Sequence, residues 1–116
     1  MSPKLPSFPF VVLDTETTGL LPRTDHVLEL AIMRYEQGEK VAEYESLFSV
    51  KKEIPPHVQV LTRVRSSDLS GKPTVTDEKK EFEKLLEGAV IVGHNILFNP
   101  VTLLLLSREP VLLLPL

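Results

Sequence analysis

The sequence predicts a mixed α/β sheet with polar groups at its strand ends, and three observations predict it. Two short apolar runs, Phe10-Val11-Val12-Leu13 and Ala89-Val90-Ile91-Val92, are too short for stable helices and suit buried strands. Between them, Val27 to Glu36 and Val41 to Val50 are rich in β-formers and lie either side of Gly38, the pattern of an antiparallel hairpin. Thr74 to Gly88, by contrast, carries Phe82, Leu85 and Leu86 at helical spacing, a period that Ala89 continues. A strand, a hairpin, a helix and a further strand, in that order, imply antiparallel and parallel pairing within one sheet.

Taken in order, residues 1–9 are rich in proline and read as a flexible, extended lead-in, with neither a secretory nor a transit pattern. The first strand then places Asp14 at its C-terminal end. In the second, Leu28 and Leu30 alternate with Glu29, as expected of a sheet with one buried face, although Ala31-Ile32-Met33 blurs the alternation. Gln37-Gly38-Glu39-Lys40 makes the hairpin turn. Pro55-Pro56 breaks the chain and opens a short helix over His57 to Val64, since proline is tolerated in a first turn. Thr74 or Thr76 caps the long helix, and Gly88 ends it in a left-handed conformation. The next strand closes on Gly93-His94-Asn95, and Asn99-Pro100 has the form of a cap and first residue for a helix over Val101 to Ser107.

Composition narrows the chemistry. The chain has 116 residues, enough for one small domain, and its 42% hydrophobic and 25% charged content is that of a globular chain. It has no cysteine, so a disulfide framework and a thiolate zinc site are excluded and any metal must be held by oxygen or imidazole. Mg²⁺ and Mn²⁺ fit that donor set. A formal charge of −3 argues against a strong electrostatic clamp on nucleic acid, unless bound cations reverse the charge locally. Lys51-Lys52, Arg63, Arg65 and Lys79-Lys80 read as solvated surface. The apolar runs near the C-terminus are interrupted well short of the ~20 residues that span a membrane, so a cytoplasmic protein with no membrane partner is expected.

The chemistry concentrates in Val12-Leu13-Asp14-Thr15-Glu16-Thr17-Thr18-Gly19-Leu20. Asp14 and Glu16 are two apart, so in extended backbone they project to one side and can share a metal site. Paired cations roughly 3.5 to 4 Å apart stabilise both the attacking and the leaving oxygens of a phosphodiester displacement, and clustered carboxylates are what hold them. Thr17 and Thr18 add hydroxyls, Gly19 is free to take positive φ so that backbone N–H groups approach a nucleotide, and Leu20 offers an apolar surface to its base.

These nine residues resemble the first motif of the DEDD superfamily of 3′→5′ exonucleases, which includes the proofreading subunit of bacterial DNA polymerase III. Ile91-Val92-Gly93-His94-Asn95-Ile96-Leu97-Phe98 is similar to the second motif, and Pro55-Pro56 to Leu69 to the connecting segment. The resemblance covers residues 10–98 and implies a ribonuclease H-like mixed sheet with flanking helices. It also implies that Asp14 and Glu16 are catalytic metal ligands in a two-metal Mg²⁺ or Mn²⁺ site. Thr17, Thr18, Gly19 and Leu20 would hold the 3′-terminal nucleotide, with His94, Asn95 and Phe98 shaping the same pocket.

The sequence departs from this family twice. Asn99, followed by Pro100, stands where the third acid is expected, and nothing after Pro100 matches the third motif, with its histidine base and last aspartate. Residues 10–116 are therefore expected to be a partial, C-terminally truncated exonuclease domain whose apolar end, Val111 to Leu116, needs further chain or a partner to cover it. The expected activity is hydrolysis of terminal phosphodiesters of single-stranded or frayed DNA to nucleoside 5′-monophosphates, with a single-stranded DNA 3′ end as substrate and a DNA polymerase subunit as partner. The alternative is an inactive relative that binds 3′ ends or a polymerase. A phosphatase-like site with Asp14 as nucleophile fits poorly, because that chemistry prefers a second Asp where Glu16 stands.

Overall fold

The computed structural model describes residues 5–21, 23–93 and 113–115. Its elements run β1 (Phe10–Thr17), β2 (Val27–Glu36), β3 (Glu39–Leu47), α1 (Pro56–Thr62), a 3-10 turn over Ser66–Leu69, α2 (Val75–Leu86), β4 (Val90–Gly93) and β5 (Leu113–Pro115). They build one mixed sheet in the order β3-β2-β1-β4-β5. β2 is antiparallel to both β1 and β3, whereas β4 runs parallel to β1 and β5 parallel to β4. This is the ribonuclease H-like mixed sheet that the motifs imply.

Several boundaries differ from expectation for physical reasons. β1 does not end at Leu13 but continues to Thr17, because Asp14, Thr15 and Glu16 pair with Ala31, Leu30 and Glu29 of β2. Only the first half of the strand is apolar enough to register as buried. The hairpin turn is two residues, Gln37 at φ 52° and Gly38 at φ 79°, the doubly left-handed geometry that matches strand twist. Pairing therefore resumes at Glu39, and β3 occupies Glu39–Leu47 rather than Val41 to Val50. α1 begins on Pro56 and stops at Thr62, where Arg63 takes a left-handed cap at φ 62°. β4 is displaced by one residue, to Val90–Gly93. β5 has no counterpart in the sequence reading: part of the apolar ending adds a parallel edge strand, Leu113 opposite Ile91 and Pro115 opposite Gly93. The expected helix over 101–107 lies outside the described residues.

The core lies between the sheet and α2. Val11 and Leu13 of β1, Leu30 and Ile32 of β2 and Ile91 of β4 bury against Phe82 and Leu86 of α2. Leu28, Ile54, Val58, Val64 and Leu69 form a second cluster under α1 and the 3-10 turn. Strand alternation explains both faces: Leu30 and Ile32 turn inward, so Ala31 and Met33, which blur the sequence pattern, belong to the opposite face with Glu29. α2 is fastened at both ends. Thr74 Oγ1 accepts the Asp77 N–H at 3.1 Å, while the Asp77 carboxylate accepts the Thr74 N–H at 3.2 Å. At the other end the Arg34 guanidinium, from β2, donates to the carbonyls of Leu85 and Glu87 at 2.8 and 2.6 Å. The helix stops earlier than Gly88, where Glu87 turns to extended backbone, and Gly88 at φ 68° instead shapes the turn that the Ala89 N–H closes on the Leu86 carbonyl at 3.2 Å.

Candidate active site

The face of the sheet turned away from α2 is acidic. Asp14 and Glu16 lie two apart on β1 and so share that face, and the register sets Glu16 directly opposite Glu29 and Asp14 opposite Ala31, which in turn faces Glu45 on β3. None of these side chains is buried. The electrostatics show their proximity. The Glu16 carboxyl is held above its ordinary value by partial burial first, then by the charges of Asp14 and Glu29. Glu29 is raised likewise, by burial and then by Glu45 and Asp14. Carboxylates that repel one another on an open surface are stabilised by a cation between them.

The segment following β1 is tightly organised. The Thr17 hydroxyl donates to the Gly19 carbonyl at 2.8 Å. The Thr18 hydroxyl donates to Asp25 Oδ1 at 2.9 Å and accepts the His26 N–H at 2.9 Å, while the Thr18 N–H donates to the His26 carbonyl. Asp25 Oδ2 accepts the Leu21 N–H at 3.0 Å. Gly19 does not adopt positive φ, contrary to expectation. Its need for glycine is steric, since a Cβ there would fall against the Asp25 carboxylate, 2.8 Å from Cγ. Leu20 and Leu21 stand 54% and 64% exposed, which leaves two apolar side chains free beside the carboxylates' strand. Thr18 also borders a cleft of about 330 Å³ shared with His26, Lys52 and His57.

The structure thus brings together, on β1 and the segment after it, Asp14, Glu16, Thr17, Thr18, Gly19 and Leu20. His94, Asn95, Phe98 and Asn99 lie outside the described residues. Among the described residues no three acidic or imidazole groups are placed to hold a metal ion. Asp14 and Glu16 nevertheless fit a hard divalent cation in donor type and in mutual repulsion, as part of a ligand set. Two residues escaped the sequence reading. Glu29 was visible only as a polar residue between leucines, and its position across from Glu16 depends on register. Asp25 gave no motif signal, because its role arises from the return of the loop onto β2. The basic residues behave as surface: Arg65 pairs with Asp68 at 3.2 Å and Lys79 with Glu83 at 3.7 Å.

Among the described residues no helix is long and apolar enough to cross a membrane. Comparison with known proteins agrees with the fold and the motif. Residues 11–104 match the RNase T exonuclease family model. The PolC-type DNA polymerase III of Thermotoga petrophila is 36% identical over 90 residues, covering 78% of this chain and 7% of that protein. The DNA polymerase III subunit epsilon of Treponema pallidum is 29% identical over 90 residues, covering 78% of this chain and 42% of that one. The chain therefore spans less than half the length of these relatives. Among solved structures, exonuclease X in complex with 5′-overhanging duplex DNA superposes with a TM-score of 0.62 at 24% identity, over 77% of this chain and 50% of that chain. A metal-free E. coli exonuclease I complex with single-stranded DNA gives 0.68 at 16% identity, over 78% and 21% respectively. These structural likenesses establish the shared fold, and the family match, reaching from β1 through β4 and beyond it, establishes that the chain belongs to the exonuclease family.

Proposed function

We propose that this chain hydrolyses the terminal phosphodiester of single-stranded or frayed DNA from the 3′ end, releasing nucleoside 5′-monophosphates. The observation that carries this reading is the pairing of Asp14 and Glu16 on one open sheet face, immediately before a segment that its own hydrogen bonds organise and that holds out exposed leucines. In this reading Asp14 and Glu16 are catalytic and hold Mg²⁺ or Mn²⁺. The chemistry such cations supply when bound is neutralisation of phosphate charge and activation of the attacking water. Thr17, Thr18 and Gly19 orient the terminal nucleotide, and Leu20 meets its base. His94, Asn95 and Phe98 complete the pocket, with Asn99 at the position of a third ligand. Residues 10–116 form the exonuclease unit and 1–9 its lead-in. The polymerase III relatives support a replication setting in the cytoplasm and a DNA polymerase subunit as partner. The exonuclease I and exonuclease X complexes support a DNA strand as substrate.

A second reading, recognition of 3′ ends without cleavage, is favoured by one specific feature. Asn99 supplies a neutral oxygen where the family's acid would neutralise a cation, and Pro100 disfavours helical backbone at Asn99. Digestion of a 5′-labelled single-stranded oligonucleotide with Mg²⁺ or Mn²⁺ separates the two. Under the first reading the chain produces a ladder that shortens from the 3′ end, and chelation, Asp14→Ala and Glu16→Ala each abolish it. A folded chain that binds the strand and leaves it intact supports the second.

A further inference from the structure

The Asp25 carboxylate has no part in the chemistry assigned to Asp14 and Glu16, yet it organises the whole segment that follows them. Its Oδ1 accepts the Thr18 hydroxyl at 2.9 Å and its Oδ2 accepts the Leu21 N–H at 3.0 Å, so one side chain spans the segment from end to end. The Asp25 N–H returns to the Leu21 carbonyl at 2.9 Å, closing the turn. The Thr18 hydroxyl passes the connection on by accepting the His26 N–H at 2.9 Å, one residue before β2 begins.

We infer that Asp25 is a positioning residue for the 3′-terminal nucleotide: its carboxylate latches residues 18–21 into the shape that holds Leu20 and Leu21 out as an apolar seat. This rests on the exonuclease reading. Two further observations support it. Leu20 and Leu21 belong to neither core cluster and are more than half exposed, so burial does not fix their positions; hydrogen bonds do, and those to the Asp25 carboxylate join the two ends of the segment. Gly19 is the one residue type that lets the segment approach this carboxylate, because a Cβ would meet Asp25 Cγ at 2.8 Å and Oδ1 at 3.0 Å. A negatively charged acceptor holding two donors makes stronger bonds than a neutral one. Fixing the segment before substrate arrives removes an ordering cost from binding.

The test uses the whole chain and two substrates, a fluorescent single-stranded oligonucleotide with a free 3′ hydroxyl and a circular one of the same length. Anisotropy gives Kd, digestion gives KM and kcat, and thermal melting reports folding. Asp25→Ala should raise Kd and KM for the ended strand roughly tenfold while kcat stays within about twofold, the pattern of lost binding with intact chemistry. The weak binding to the circle should not change. Asp25→Asn, which keeps one acceptor oxygen, should fall between Asp25→Ala and wild type. Gly19→Ala should reproduce the Asp25→Ala effect, and the double variant should be no worse than either single change, because both break the same contact. If Asp25→Ala destabilises the fold, Asp25→Asn carries the test. Wild-type Kd and KM in folded variants, or losses that follow melting temperature and affect both substrates alike, would overturn the inference alone. Failure of folded wild-type chain to prefer the ended strand would overturn the exonuclease reading, and the inference with it.

Discussion

Glu29 shows what register adds to sequence. It lies opposite Glu16, and both carboxyls are pushed above their ordinary range by partial burial and by neighbouring negative charge. A carboxyl whose folded value is raised contributes stability that is fully present below its unfolded value, 4.5, and is lost as pH rises through the folded value. At neutral pH the ionised Glu29 therefore opposes folding in the absence of a cation. Glu29→Gln should melt at a higher temperature than wild type at neutral pH, and the difference should vanish in acid, below the unfolded value. Melting curves across that range check it, and a gain that persists unchanged in acid would show that repulsion is not its source. Asp14 and Glu16 were legible as a pair from their spacing alone, because a strand fixes the direction of alternate side chains. Glu29 and Asp25 were not, because cross-strand partners and loop closures are set by pairing that no local pattern encodes.

At the scale of elements, legibility followed the strength of local chemistry. α2 was readable because Thr74 states its start and Phe82 and Leu86 its buried stripe. The full length of β1 and the existence of β5 were not, since hydrogen bonds to a neighbouring strand, and not the local pattern, decide where each begins and ends. Packing of α2 on the hairpin yields a further expectation. The Tyr44 hydroxyl, on β3, donates to Glu78 Oε1 at 3.0 Å, and its ring meets Phe82 at 6.0 Å between centroids. Burial, then the bond to Glu78, pushes the phenol up to about 12 from 10.0. The stability it contributes is complete below the unfolded value and is lost as pH rises from there through about 12. Tyr44→Phe should cost about 1 kcal/mol at neutral pH, less than the roughly 1.5 to 3 kcal/mol of a fully buried bond to a charged group because the pair is partly solvated. It should also remove the alkaline loss attributable to this residue, as denaturant melts at neutral and alkaline pH will show.

For the whole molecule, charge and architecture set the terms on which a nucleic acid can approach. The sheet buries its apolar side against α2 and leaves Asp14, Glu16, Glu29 and Glu45 on the other, in a chain of net charge −3. A protein that binds strands through Lys and Arg releases counterions and weakens as salt of any kind is added. Here the reverse is expected over the range in which the acidic face fills, because a phosphodiester cannot approach those carboxylates until cations offset them. Affinity for a 3′-ended oligonucleotide should be negligible in chelator and rise with Mg²⁺ at constant ionic strength. With Asp14→Ala the rise should be much reduced, since the proposed function makes Asp14 half of the carboxylate pair that gathers the cation. Ca²⁺ in place of Mg²⁺ should preserve binding, because it too takes hard oxygen ligands, while its larger size and looser coordination make a poorer fit to the chemical step. Anisotropy titrations at fixed ionic strength, with each ion in turn, decide the matter: strong binding in chelator that declines smoothly with added salt would place the strand on a basic surface elsewhere on the molecule, away from Asp14 and Glu16.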